Sequence, residues 1–375
     1  VKTVVLESPG RMQVVERPEP GPPGPGEALV RVLRVGVCGS DLHAFAGRQA
    51  FIRYPLVPGH ELAVEVVALG PAASNAKPAA HPVAMGDRIA VGDRAAVFPY
   101  LADGTCQSCR AGRPNCCASL QLYGIHVDGG MRTWMNVPTS LLLPANDLAV
   151  DALALTEMLA VGAHAARRTG DLGRRRVLVV GAGPIGLSTL AFLGADPAST
   201  WVHDLDPDRR RFAAATGLAQ GLDAADDDPD GAPDAATIHA LRTALDGDLP
   251  EVVIDATGSR ASMERALGRV AHGGRVVFVG HTPGPLTFEN PVLHGKELEL
   301  VASRNALRSD FETVFAALRS GAVDPAAWIT TRTDPDGFAS SIADWARPSS
   351  GIVKAVVDWT HETIGGRPEA TRDGR

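Results

Sequence analysis

At about 150 residues per domain, a chain of 375 residues makes roughly two domains, and its 45 % apolar and 21 % charged content is that of a globular protein with a sizeable core. No apolar run reaches the length of a transmembrane helix, and Val1–Glu7 meets a charge too early for a signal peptide, so no membrane partner and a cytoplasmic location are expected. A net charge of −7 without a basic cluster argues against nucleic acid as the main ligand.

In chain order, the first third is rich in short strands and turns. Pro18 to Gly26 is punctuated by Pro and Gly, and Leu29 to Val37 alternates apolar and polar residues, predicting a half-buried strand. A second apolar run covers Leu62 to Leu69, and together these segments predict a barrel or sandwich. Within Ala72 to Val97, Gly86-Asp87-Arg88 is echoed by Gly92-Asp93-Arg94, which reads as a loop insertion. Four of the five cysteines crowd into residues 106–117, a pattern of metal chemistry before disulfides.

From residue 151 the texture changes. Asp151 to Arg168 carries a helical stripe. The apolar runs Val177–Val180, Val252–Ile254, Val276–Val279 and Leu298–Val301 then alternate with helical stretches, predicting a parallel sheet covered on both faces. Asp223 to Asp234 is acidic with two prolines and is expected to be an exposed loop. Phe311, Val314, Phe315 and Leu318 share one helical face, Ile352 to Val357 is the closing apolar run, and the tail from His361 to Arg375 is expected to fray.

Val177–Val180 runs directly into Gly181-Ala182-Gly183-Pro184-Ile185-Gly186 and then into a helix-compatible stretch. Between strand and helix this Gly-x-Gly-x-x-Gly pattern reads as a dinucleotide cradle. Gly181 permits the tight turn, Gly183 lets the backbone approach a pyrophosphate, and Gly186 lets helix and strand pack closely. Pro184 and Ile185 open the helix whose positive end faces the phosphates. The next strand, Trp201-Val202-His203, ends at Asp204, a carboxylate suited to the ribose hydroxyls and repulsive to a 2′-phosphate, which favours NAD over NADP. Asp206 competes for that role, and Arg209 and Arg210 keep NADP open.

Cys38-Gly39-Ser40-Asp41-Leu42-His43, Gly59-His60-Glu61 and Thr156-Glu157 supply the Cys, His and Glu donors of a catalytic zinc with one open position. Taken singly, Cys38 reads equally as a small buried hydrophobe, His60 as a turn residue and Glu157 as a helix-start carboxylate. Combined with the nucleotide motif, these residues resemble the zinc-dependent medium-chain dehydrogenase/reductase superfamily, in its polyol and sugar-acid branch. The similarity runs from the first strands to about Asp358.

That resemblance implies a split GroES-like β-rich catalytic domain (1–151 and 303–360) around a doubly wound Rossmann domain (152–302), with a flexible tail (361–375). It implies Cys38, His60 and Glu157 as zinc ligands, Glu61 as a carboxylate that holds the metal's water or swaps in as ligand, and Asp41 as their orienting neighbour. Ser40 and His43 would carry the proton outward, and hydride would pass to the nicotinamide. Two positions depart from the family: Val64 stands where Gly is usual and Met158 where Pro is usual. The family's second, structural zinc maps onto Asp103, Cys106, Cys109 and Cys117, with Asp in place of the first Cys and Cys116 a substitute for Cys117. A carboxylate binds zinc at about 2.0–2.2 Å, so such a site is chemically sound, and a metal-free lobe of thiols is the other reading.

Gly124–Met131, the run Glu157 to His164 and Ser303-Arg304-Asn305 are similar to sugar-acid dehydrogenases, the L-galactonate, L-gulonate and L-idonate 5-dehydrogenases among them. Arg304 would pair with a substrate carboxylate and His126 add a polar contact, although Arg304 reads equally as a domain-junction residue. Other polyols, cyclitols and amino-cyclitols are alternative substrates. A zinc-free quinone reductase and a non-catalytic nucleotide-binding protein are the rival functions. The resemblance also implies a homodimer or homotetramer.

Overall fold

The computed structural model describes residues 1–49, 51–71, 89–223, 234–347 and 351–361. They fall into two units: Val1–Gly104, Ser119–Leu155 and Ile329–Arg375 form the first, and Thr105–Ala118 with Thr156–Trp328 the second. The cysteine lobe and residues 303–328 thus cluster with the parallel sheet, whereas the sequence-based division assigned them to the β-rich domain.

In the first unit Val- and Leu-rich segments pair around the long strand Glu27–Val37, which is flanked antiparallel by Glu61–Leu69 and Lys354–Asp358. The sheet continues through Arg94–Val97 to Leu142–Pro144 on one side and to Ile329–Thr333 on the other, and Trp134–Pro138 adds a further pairing to Glu27–Val37. A hairpin of Lys2–Ser8 and Arg11–Glu16 forms a separate two-stranded sheet whose Val4 and Val5 pack into the core of the larger one. Val30, Val32, Val35, Leu62, Val64, Met135, Phe338 and Trp359 are buried in its core, each contributing about 1.5–3 kcal/mol by leaving water. The central strand is covered more fully than its alternation predicts. Arg31 and Arg34 interrupt an otherwise apolar strand, and each is neutralised, Arg31 by Glu65 and Arg34 by Asp151 and Asp358.

The second unit is a six-stranded parallel sheet in the order Gln220–Gly221, Thr200–His203, Val177–Val180, Val252–Asp255, Arg275–Phe278, Glu299–Ala302. That doubly wound order reverses direction beside Val177–Val180, the strand that feeds the glycine motif. Three of the apolar runs are buried central strands, but Leu298–Val301 becomes the sheet edge, with Leu300 38 % exposed. An edge strand has one neighbour and is not covered on both sides. The stripe from Asp151 to Arg168 forms two helices, Val150–Ala154 and Thr156–Arg168, broken at Leu155.

The sequence places Asp234 in an exposed loop; it is buried, and its carboxylate accepts from Arg269 Nε at 2.7 Å. An apolar-poor stretch gives no warning that its last residue has a buried cationic partner. Most of that loop (224–233), the Gly86-Asp87-Arg88 half of the echo and the tail beyond 361 lie outside the described residues. Among the described residues no helix is long and apolar enough to cross a membrane.

Candidate functional site

Cys38 follows the central strand and caps the helix Gly39–Phe45. Its backbone N–H donates to Asp41 Oδ2 at 2.9 Å, which locks the turn that presents the thiol. Asp41 is 1 % exposed; burial pushes its carboxyl up, opposed by nearby His60 and by the Cys38 N–H. Ser40 Oγ is buried without a hydrogen-bond partner among the described residues, whereas His43, on the same helix, is exposed.

The neighbouring strand brings the second and third donors. Gly59 adopts φ +95°, and a Cβ there would lie 2.9 Å from Val35 Cγ1, so only glycine fits the turn before His60. His60 and Glu61 are buried, and ligand atoms of Cys38, His60 and Glu61 lie within 4.8 Å of one another. Tetrahedral zinc with bonds of about 2.0–2.3 Å holds its ligand atoms about 3.3–3.8 Å apart, so thiolate, imidazole and carboxylate here fit that ion. Glu157 is carried by the other unit, in the first turn of Thr156–Arg168, and is buried.

One partner of this cluster was missed by sequence reasoning. Lys354, 1 % exposed, donates from Nζ to Glu61 Oε1 at 2.6 Å and to Val37 O at 2.9 Å. A lysine inside the apolar run Ile352–Val357 was the available signal, because a fully buried lysine needs an anionic partner. The two departures from the family pattern are packing residues. Val64 is fully buried in its strand, and Met158 is 1 % exposed, with its carbonyl accepting from Ser188 Oγ at 3.2 Å.

The second cluster comes from one short stretch of chain that includes the helical turn Gln107–Arg110. Ligand atoms of Asp103, Cys106, Cys109 and Cys117 lie within 4.8 Å of one another, a three-sulfur, one-oxygen set that suits a closed zinc site. Asp103 Oδ2 accepts from Ser119 Oγ at 2.5 Å, which orients the carboxylate. Backbone N–H groups of Ala118 and Cys109 lower the Cys106 thiol from 9.0 to about 7. Cys117 is the buried member; Cys116 lies outside the group and takes a contact from Arg113 at 3.8 Å.

At the nucleotide motif, Gly183 caps the helix Pro184–Phe192. A Cβ on Gly186 would lie 1.8 Å from Gly181 O, which accounts for the third glycine. Asp204 Oδ2 accepts from Ala182 N–H at 2.8 Å and Oδ1 from Asp206 N–H at 2.9 Å, so the carboxylate is docked on the glycine turn. Asp206 is engaged elsewhere, capping Pro207–Ala215 by accepting from Asp208 and Arg209 N–H. That leaves Asp204 as the carboxylate for a ribose. Arg209 Nη1 lies 3.8 Å from where a Gly183 Cβ would stand, over the phosphate cradle, while Arg210 Nη1 donates to Asp204 O at 2.5 Å.

The two expected substrate contacts are at the surface of their units. His126 is exposed, its Nδ1 accepts from Leu122 N–H at 3.1 Å, and the proton therefore sits on Nε2. Arg304 is exposed and its carbonyl accepts from Asn115 Nδ2 at 2.9 Å.

Comparison with known proteins agrees with this chemistry. Residues 24–147 match the alcohol dehydrogenase GroES-like domain, and residues 184–320 match the zinc-binding dehydrogenase family. The chain is 39 % identical over 310 residues to L-galactonate-5-dehydrogenase of Escherichia coli (strain K12), covering 83 % of this chain and 85 % of that one. The rspB alcohol dehydrogenase from E. coli CFT073, solved with NADH, superposes with a TM-score of 0.80 at 26 % identity over 95 % of this chain and 98 % of that one. A zinc-binding dehydrogenase from Sinorhizobium meliloti 1021 bound to NADP gives a TM-score of 0.78 at 27 % identity, with the same coverage of each chain.

Proposed function

The chain belongs to the zinc-binding alcohol dehydrogenase family, in its polyol and sugar-acid branch, and from that premise we propose that it oxidises a secondary hydroxyl of a sugar acid, with NAD as hydride acceptor. The observation that carries this reading is the cluster of half-buried Cys38 with buried His60 and Glu61, near a Ser40 hydroxyl that has no hydrogen-bond partner among the described residues. When bound, zinc would act as a Lewis acid that lowers a hydroxyl pKa towards neutrality, and NAD would take up the hydride.

The residues divide the remaining work. Cys38, His60 and Glu157 hold the metal, and Glu61, steadied by Lys354, is the carboxylate positioned to exchange with them. Ser40 Oγ accepts the substrate proton as it passes its own hydroxyl proton on towards exposed His43, which delivers it to solvent. Asp41 fixes the Cys38 turn. Gly181, Gly183 and the Pro184–Ile185–Gly186 helix start bind the pyrophosphate, Asp204 the ribose, and Arg209 the phosphate side. Asp204 supports NAD over NADP, since a carboxylate repels a 2′-phosphate. Arg304 pairs with the substrate carboxylate through its planar fork, and His126 Nε2–H donates to a hydroxyl. Asp103, Cys106, Cys109 and Cys117 hold a second zinc. The exposed edge strand Glu299–Ala302 supports self-association into a dimer or tetramer, and a set of free, clustered cysteines suits a reducing compartment such as the cytoplasm.

The test is a panel of aldonic acids, polyols and cyclitols offered with NAD to the zinc-loaded enzyme, read as NADH absorbance. Turnover is expected with aldonates first, L-galactonate among them, and weaker with uncharged polyols. No turnover on any alcohol would overturn the activity, and a preference for uncharged polyols would overturn the substrate class.

A further inference from the structure

Arg304 is followed by Asn305 at φ 52°, the left-handed conformation that asparagine tolerates best among non-glycine residues and that turns the chain sharply here. The hold on this segment is a ring of buried hydrogen bonds. Arg304 O accepts from Asn115 Nδ2 at 2.9 Å across 189 residues of sequence. Because a carbonyl only accepts, that contact fixes the amide orientation, and the same Nδ2 faces His164 Nε2 at 3.3 Å. His164 Nδ1 in turn lies 2.9 Å from Asp310 Oδ2, and Arg167 Nη2 closes on both, 2.9 Å from that Nδ1 and donating to Asp310 Oδ2 at 3.2 Å. The ring closes where Leu307 N–H donates to Asp310 Oδ2 at 2.7 Å. Asn115, His164 and Asp310 are 4 %, 5 % and 3 % exposed, so water competes little for these bonds.

Both ends of residues 304–307 are therefore tied, one to the cysteine lobe and one to the helix Arg308–Ser320, with His164 bridging the anchors. The Arg304 side chain is left exposed on a backbone held by hydrogen bonds at both ends. We infer that Asn115 is a positioning residue for substrate recognition: it fixes the peptide from which Arg304 reaches the substrate's carboxylate. This deepens, and rests on, the substrate-binding reading of Arg304. Asn115 thereby gives the lobe a part in the reaction, since its amide is the lobe's link to that segment in the ring.

The test is steady-state kinetics of the zinc-loaded full chain, with L-galactonate and the best aldonate of the panel as probes. Asn115→Asp keeps the size and removes the donor; it should raise KM for the aldonate about 3–10-fold, the worth of one lost hydrogen bond, with kcat, KM for NAD and zinc content unchanged. Arg304→Ala should raise the same KM roughly tenfold or more, and adding Asn115→Asp to it should change nothing further. If Arg304→Ala raises KM and Asn115→Asp does not, or if the two effects multiply, Asn115 does not act through Arg304 and the inference falls alone. If no aldonate is turned over, or Arg304→Ala leaves KM unchanged, the Arg304 reading falls and takes the inference with it. A joint loss of kcat, zinc and thermal stability in Asn115→Asp would reduce Asn115 to a structural role. Should that variant not fold, His164→Gln cuts the ring one link on: the same rise in KM would support the inference, and an unchanged KM would overturn it.

Discussion

Asp204 is the single side chain we propose sets cofactor choice. Both of its oxygens accept backbone N–H bonds, from Ala182 and Asp206, so the charge is fixed beside the cradle and cannot turn away from a 2′-phosphate. Asp204→Asn should raise KM for NAD about tenfold while improving use of NADP relative to NAD, because the repulsion is removed and Arg209 stays; paired NAD and NADP kinetics check this, and an unchanged ratio would contradict it. Cys106 supports a second prediction. A thiol lowered to about 7 is mostly thiolate at pH 8 and mostly protonated at pH 6. In chelator-treated protein its alkylation by iodoacetamide should therefore rise through pH 7 and level off by pH 8, where an ordinary thiol would still be climbing. Added zinc should block it. Peptide mapping after timed labelling reads both outcomes.

At the scale of elements, strands and turns carry the chemistry and the long-range pairings perfect it. The Cys38 turn, the Gly59 turn and the glycine cradle were legible in the sequence because each is local: a strand, a glycine or acidic residue at a fixed offset, then a donor. Lys354 was not, because its partner Glu61 lies 293 residues away and only the fold brings the two strands together around Glu27–Val37. The Asn115, His164 and Asp310 ring and the Arg269–Asp234 pair escaped for the same reason. The edge position of Glu299–Ala302 escaped because an apolar run looks alike whether one neighbour or two flank it. Lys354→Met should test the weight of such a pairing. It leaves the Glu61 carboxylate buried without its counter-charge and should cost about 3–5 kcal/mol in urea unfolding, much of it regained when Glu61→Gln is added. A change below about 1 kcal/mol would mean that water or another cation already neutralises Glu61.

For the whole molecule, the division of labour is between a β-rich unit that gathers thiolate, imidazole and carboxylate and a doubly wound unit that cradles a dinucleotide. The order of these segments along the chain carried the family resemblance, and the matches to residues 24–147 and 184–320 bear it out. The substrate is the finer question, since it depends on exposed side chains such as Arg304 and His126 and not on the core that defines the fold. The central claim, that Cys38 and His60 hold the metal on which hydride transfer depends, is tested most directly by zinc content measured together with NADH formation in Cys38→Ala and His60→Ala. Each variant should lose one zinc per chain and at least about a thousandfold in turnover, the several kcal/mol that metal activation supplies, while still binding NADH as read by fluorescence. Full turnover in either variant, or wild-type zinc content in both, would contradict the account.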